Sequence, residues 1–139
     1  MQLISKNTFM QTCPCGLNKA FDQCCGSIIN KHTDAQTAEQ LMRSRYTAFT
    51  LANIDYLMSS HHPKTRPIKE KKDILKWAES VKWLGLQILF TNKGSVSDEE
   101  GVVKFKALFI ENGIPQELIE ESVFVKENGK WFYVSGTHS

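Results

Sequence analysis

The chain has 139 residues, enough for one domain of ordinary size or for a small module beside one. Apolar residues make up 41% and charged residues 23%, which excludes an intrinsically disordered chain. The formal charge of +2 is too small to mark a nucleic-acid surface, and no apolar run approaches the roughly 18 residues of a membrane span.

The opening stretch MQLISKNTFMQT carries one charge, Lys6, and no apolar h-region. It does not read as a signal peptide, so a reducing cytoplasm is the expected setting. All four cysteines then fall within CPCGLNKAFDQCCG, at Cys13, Cys15, Cys24 and Cys25. Two thiol pairs joined by a short loop each supply one edge of a tetrahedron. Four thiolates favour Zn2+ over harder cations and leave no coordination position for a reactive water. The alternatives fit less well. A vicinal Cys24–Cys25 disulfide is strained and needs an oxidising compartment, a thioredoxin-type site needs Cys-x-x-Cys, and iron–sulfur spacings differ. Gly16 and Gly26, each following a cysteine pair, are expected at positive φ, aiming backbone N–H groups at sulfur. Asn18 tolerates the left-handed region as well. His32 reads as a solvated loop residue.

The pattern CPCG-x7-CCG resembles the SEC-C zinc motif, best known at the C-terminus of the bacterial translocase motor SecA. Leu17 to Phe21 fit its turn, basic residue and aromatic. The chain departs at Asn18, where glycine is usual, and at Asp22-Gln23, where the motif tends to be basic. The resemblance implies one structural zinc ion. In SecA-like proteins the motif docks partners such as a chaperone or the ribosome.

A polar linker, roughly 30–36, leads to Thr37-x-x-Gln40, a capping box that opens a helix. Leu41, Arg45, Ala48, Phe49 and Ala52 keep helical spacing, widened by Met42 and Tyr46. Asn53 interrupts it, and a short helix with Ile54, Leu57 and Met58 runs until His61-His62-Pro63. Pro67 is placed to start a third helix whose buried stripe is Ile74, Ala78 and Val81. From Trp83 the period changes to two. Strands are expected over 83–91, 102–111, 118–126 and 130–135, with Asn128-Gly129 as a two-residue hairpin turn. That turn sets Val125 opposite Phe132 and Phe124 opposite Tyr133. Helices followed by antiparallel strands make an α+β fold.

The segments LMRSRYTAF, DYLMSSHHP, WLGLQIL and ESVFVKENGKWFYV, after the cysteine motif, resemble the bacterial YchJ family over roughly residues 13–136. The resemblance implies a nuclear transport factor 2-like (NTF2-like) middle region, a cone of curved antiparallel sheet wrapped by helices. It implies no particular activity. The expected organisation is a SEC-C-like zinc module over 1–30 and an NTF2-like domain over 31–139.

A cone of this kind can hold a pocket, and Glu120, Ser122 and Phe124 share a hairpin face with Trp131 and Tyr133. The candidate pocket residues are Tyr46, His62, Glu120, Ser122 and Tyr133, with Asp55 next. His62 would act as acid or base if it points inward. Each has a plainer reading: His62 capping a helix end, Tyr46 in the core, Glu120 in solvent after a one-residue slip. Of Arg43 and Arg45, one is expected in solvent and the other on the apolar side, paired with a carboxylate such as Glu120 or tying helix to sheet. No nucleophile–base–orienter set is visible. The expected function is therefore a non-catalytic adapter whose zinc module displays a surface to a protein partner. The rival is a small-molecule-binding protein or enzyme using the cone. Nucleic-acid binding through Lys19 and Lys31 is the weakest reading, since four thiolates on a divalent ion offset the small positive charge.

Overall fold

The computed structural model describes residues 12–138. A short helix α1 (Cys25–Asn30) leads to α2 (Ala38–Thr50), α3 (Ile54–Ser59) and α4 (Lys71–Ser80). Four strands follow: β1 (Lys82–Lys93), β2 (Glu100–Glu111), β3 (Ile114–Glu127) and β4 (Lys130–His138). They form one antiparallel sheet in the order β1-β2-β3-β4. The expected α+β fold is the one observed, and no described helix is long and apolar enough to cross a membrane.

The caps lie where the sequence puts them. The Gln40 N–H donates to Thr37 Oγ1 at 3.1 Å, satisfying one of the orphan donors of α2. The reciprocal half of the box slips by one residue, since the Gln40 carboxamide accepts from the N–H of Gln36 at 2.6 Å. Asn53 caps α3 by accepting from the Tyr56 N–H at 3.0 Å. Pro67 is followed by a 3-10 turn, Ile68–Glu70, before α4 begins.

Two Asn-Gly turns shape the sheet. Asn128-Gly129 has φ of 52° and 78°, and Phe124 and Val125 do pair with Tyr133 and Phe132. Asn112-Gly113, at 52° and 77°, makes an equivalent turn between β2 and β3, so β3 starts at Ile114 rather than near 118. Pro115 is tolerated because β4 pairs with β3 only from Glu120 onward, leaving that end of β3 as an edge. Bulges at Trp83/Gly85, Ile88/Phe90 and Val123/Phe124 bend the sheet. Its concave face carries Val103, Phe105, Ala107 and Phe109 of β2 toward the helices, and Leu41, Leu57, Phe124 and Trp131 are fully buried there.

The cysteine segment packs onto the same core. Ile28 of α1 belongs to the apolar cluster that contains Leu41, Leu57 and Trp131, while Leu86 of β1 packs against the cysteines. Neither Arg43 nor Arg45 is the solvated residue expected of the pair: Arg45 is buried and the Arg43 side chain is only 14% exposed. Arg43 donates to the Cys15 carbonyl at 2.7 Å and to Glu39 at 2.9 Å, tying the cysteine loop to α2. His32 is likewise half-buried rather than solvated. Its Nε2 donates to the Trp131 carbonyl at 2.6 Å, and its ring stands edge-on to Tyr56 and Phe132.

His61 carries a pH dependence. It is buried at the end of α3 with its ring 4.8 Å from that of Tyr133, and burial pushes its pKa down to about 4. The unfolded chain takes up a proton near pH 6.5 while the folded one refuses it, so stability holds above that pH and falls as pH drops toward 4. At pH 5 the loss from this group is about 2 kcal/mol. The thermal midpoint of the wild type should therefore fall by roughly 6 °C more between pH 7 and pH 5 than that of His61→Gln. Equal shifts would refute the assignment.

Candidate functional site: a four-cysteine cluster and a polar-floored cavity

Cys13 and Cys15 sit on a loop curled by Gly16, whose φ is 97°. Cys24 and Cys25 sit at the start of α1. Gly26 departs from expectation: it is helical, and glycine is needed because a Cβ there would lie 2.7 Å from the Phe21 ring and carbonyl. Asn18 is not left-handed either. The four sulfurs lie within 4.8 Å of one another, and none is in a disulfide. Cys15 and Cys24 are 3.6 Å apart, close to the edge of about 3.8 Å for tetrahedral metal–sulfur bonds of about 2.3 Å. Cys13 Sγ lies 3.8 Å from Thr47 Oγ1 on α2.

The protons in the cluster are unevenly held. Hydrogen bonds from the Cys15 and Cys25 thiols, helped by backbone N–H groups of the same residues, hold Cys13 far below the usual thiol range. Cys25 is pushed up by its bonds to Cys13 and Cys15 and by burial, and burial raises Cys24 to about 12. Four thiols this close, three of them buried, do not ionise together on their own. A divalent ion would replace the shared protons and let all four become thiolates. The donor set and its spacing fit, so the cluster could hold a metal ion.

The second feature is a cavity of about 310 Å³ between α2, α4 and the concave face of the sheet. Its walls are apolar: Met42 and Phe49 from α2, Trp77 from α4, and Trp83, Phe105 and Phe124 from the sheet. Its floor is the carboxylate of Glu120, only 9% exposed. Ser122 Oγ donates to Glu120 Oε2 at 2.6 Å, and Tyr133 Oη donates to the same oxygen at 3.1 Å. His138 Nε2, at the solvent end, lies 3.1 Å from Oε1. Gly136 on β4 makes this bed possible, since a Cβ there would overlap the Glu120 carboxylate.

Of the candidate pocket residues, Tyr46, Glu120, Ser122 and Tyr133 line this cavity together. His62 does not. Its Nε2 pairs with Glu127 at 3.0 Å and its Nδ1 accepts the Lys64 N–H at 3.1 Å, because the chain after α3 runs alongside Tyr133 toward the β3–β4 turn. Asp55 is exposed and 3.6 Å from Lys71. Arg45 reaches the cavity but forms no ion pair with Glu120. It donates to the Leu57 carbonyl at 2.9 Å and to Ser60 Oγ at 2.7 Å, and its guanidinium lies 4.5 Å over the Tyr133 ring. Burial lowers its pKa to about 10, still charged at neutral pH. Arg45 thus ties α2 to α3 and to the sheet. Sequence reasoning missed Trp77, His138 and Gly136. An isolated glycine inside a strand pattern is the signal that could have exposed the last.

Residues 37–136 match the family described as YchJ, middle NTF2-like domain. The chain belongs to the YchJ family. A UPF0225 protein of Vibrio parahaemolyticus is 42% identical to this YchJ-family chain over 126 residues, 91% of it and 74% of the relative. The solution structure of a SEC-C motif containing protein from Rhodopseudomonas palustris superposes with a TM-score of 0.82 at 32% identity, covering 92% of this chain and 98% of that one. The crystal structure of a SEC-C motif containing protein from Psychrobacter arcticus gives 0.78 at 28% identity, covering 96% and 85%. The family and fold expected from the sequence are those found.

Proposed function

We propose that this YchJ-family chain is a small-molecule-binding protein whose cysteines hold one structural zinc ion that braces the binding domain. The observation that carries the reading is the cavity itself. Its volume of about 310 Å³ lies at the low end of small-molecule sites, which run about 300–1,000 Å³. Apolar walls around a few convergent polar groups are what such sites share. Phe124 and Phe105 form its sides and do not plug it. Zinc is the ion that four thiolates at tetrahedral spacing suit best.

An adapter role for the cysteine segment rests on that segment standing apart for display. Its contacts through Ile28, Arg43 and Thr47 argue instead for bracing α2. A metabolite screen by thermal shift tests the proposal. An occupant at 100 times its Kd adds about 2.7 kcal/mol, a rise of roughly 8 °C. Ala107→Phe, which fills the cavity from β2, should abolish the shift and leave the metal content unchanged. A shift that survives Ala107→Phe places the ligand elsewhere, and the absence of any cavity-dependent binder defeats the reading.

A further inference from the structure

We infer that the cavity takes an aromatic amine, a one- or two-ring body carrying a protonated nitrogen. The inference rests on reading the cavity as a ligand site. It comes from asking which hydrogen-bonding capacity the lining leaves over. Ser122 has one O–H and gives it to Glu120, and Tyr133 does the same. Trp83 Nε1 donates to the Ala78 carbonyl at 3.3 Å and Trp77 Nε1 to Glu111 at 3.0 Å. The Tyr46 oxygen accepts from the backbone N–H of Gly85, which leaves its own O–H over. Arg45 uses Nη1 on Leu57 and Ser60, and its Cζ lies 4.5 Å from the Tyr133 ring centroid.

Around Glu120 the floor offers acceptors: the remaining carboxylate lone pairs and the oxygens of Ser122 and Tyr133, whose hydroxyl hydrogens are both given to Glu120. An occupant that reaches this floor brings the donor. A ligand carboxylate there would face the Glu120 carboxylate. A protonated amine meets an anionic acceptor in a low-dielectric floor, and the aromatic lining of Trp77, Trp83 and Phe49 suits a ring. The volume limits the body to a small one, since about 310 Å³ lies at the low end of small-molecule sites. Arg45 offsets part of the charge of Glu120, which keeps the preference for a cation moderate.

Isothermal titration of the full, zinc-loaded chain with tryptamine, 3-methylindole and indole-3-acetate separates the charge forms on one ring system. Tryptamine should bind about tenfold more tightly than either of the others. Glu120→Gln should remove that advantage and leave 3-methylindole unchanged. Ser122→Ala, a milder change to the same floor, should weaken tryptamine if Glu120→Gln fails to fold. Tightest binding of indole-3-acetate, through the remaining guanidinium hydrogens of Arg45, overturns the inference. So does undiminished tryptamine affinity in Glu120→Gln. If none of the three binds while the metabolite screen finds another cavity-dependent occupant, the amine assignment falls and the ligand-site reading stands.

Discussion

Removing the metal is expected to unfold the whole described chain in one transition, lowering the thermal midpoint by roughly 15 °C or more, rather than melting the cysteine segment alone. Structural zinc contributes about 10–16 kcal/mol to coreless peptides, against a total stability of about 5–15 kcal/mol for a domain. A loss of only about 5 kcal/mol accounts for the shift. Whether that loss is local depends on shared packing. Ile28 and Ala35 bury themselves in the cluster of Leu41, Leu57 and Trp131, and Leu86 of β1 touches the cysteines. Arg43 holds the Cys15 carbonyl, and Thr47 meets Cys13. Cysteine cluster and cavity also share two elements. Thr47 faces one while its neighbour Tyr46 lines the other, and the Tyr46 hydroxyl holds Gly85 beside Leu86. Calorimetry of the wild type with and without chelator, and of Cys24→Ser, with zinc counted on each sample, checks this. Two transitions, the upper one indifferent to chelator, would restore the separable 1–30 module that the sequence suggests.

What the sequence shows of this molecule depends on how local the information is. The cysteine cluster was legible because all four cysteines lie within thirteen consecutive residues, 13–25, so spacing alone constrains their geometry. The helix caps at Thr37 and Asn53 and the turn at Asn128-Gly129 were legible for the same reason. Asn112-Gly113 carries an identical signal, masked by Pro115, which argues against a strand until β3 is seen to be an edge there. The cavity was only half legible. Strand parity places Glu120 and Ser122 on one face, but the bulge at Val123/Phe124 shifts the pairing so that Glu120 lies opposite His138. No pattern announces that shift. Arg45 shows the same limit. Its place on the apolar stripe says it is buried, while its partners, Leu57 and Ser60, follow from how α3 folds back on α2. His62 sits beside Pro63 in any reading, but the side it faces is set by contact with β4.

Gly136→Val should destabilise the chain by about 3 kcal/mol, at the upper end of overpacking changes, and weaken any cavity ligand at least about tenfold. The backbone at Gly136 is not left-handed, so conformational freedom does not explain the glycine. Space does. A Cβ would coincide with the Glu120 carboxylate, which lies across β4 to reach Ser122 and Tyr133. Valine must therefore either evict the carboxylate, orphaning two donors at the cavity floor, or push β4 away from β3. A double-mutant cycle separates this steric role from a general intolerance of the strand. In a Glu120→Ala background the side chain that collides is gone, so Gly136→Val should lose most of its added cost to stability. The advantage of tryptamine over 3-methylindole should stay lost, since the acceptor is absent from both Glu120→Ala variants. If Gly136→Val is as damaging in the Glu120→Ala background as in the wild type, the glycine serves the strand and not the carboxylate, and the floor has a different origin.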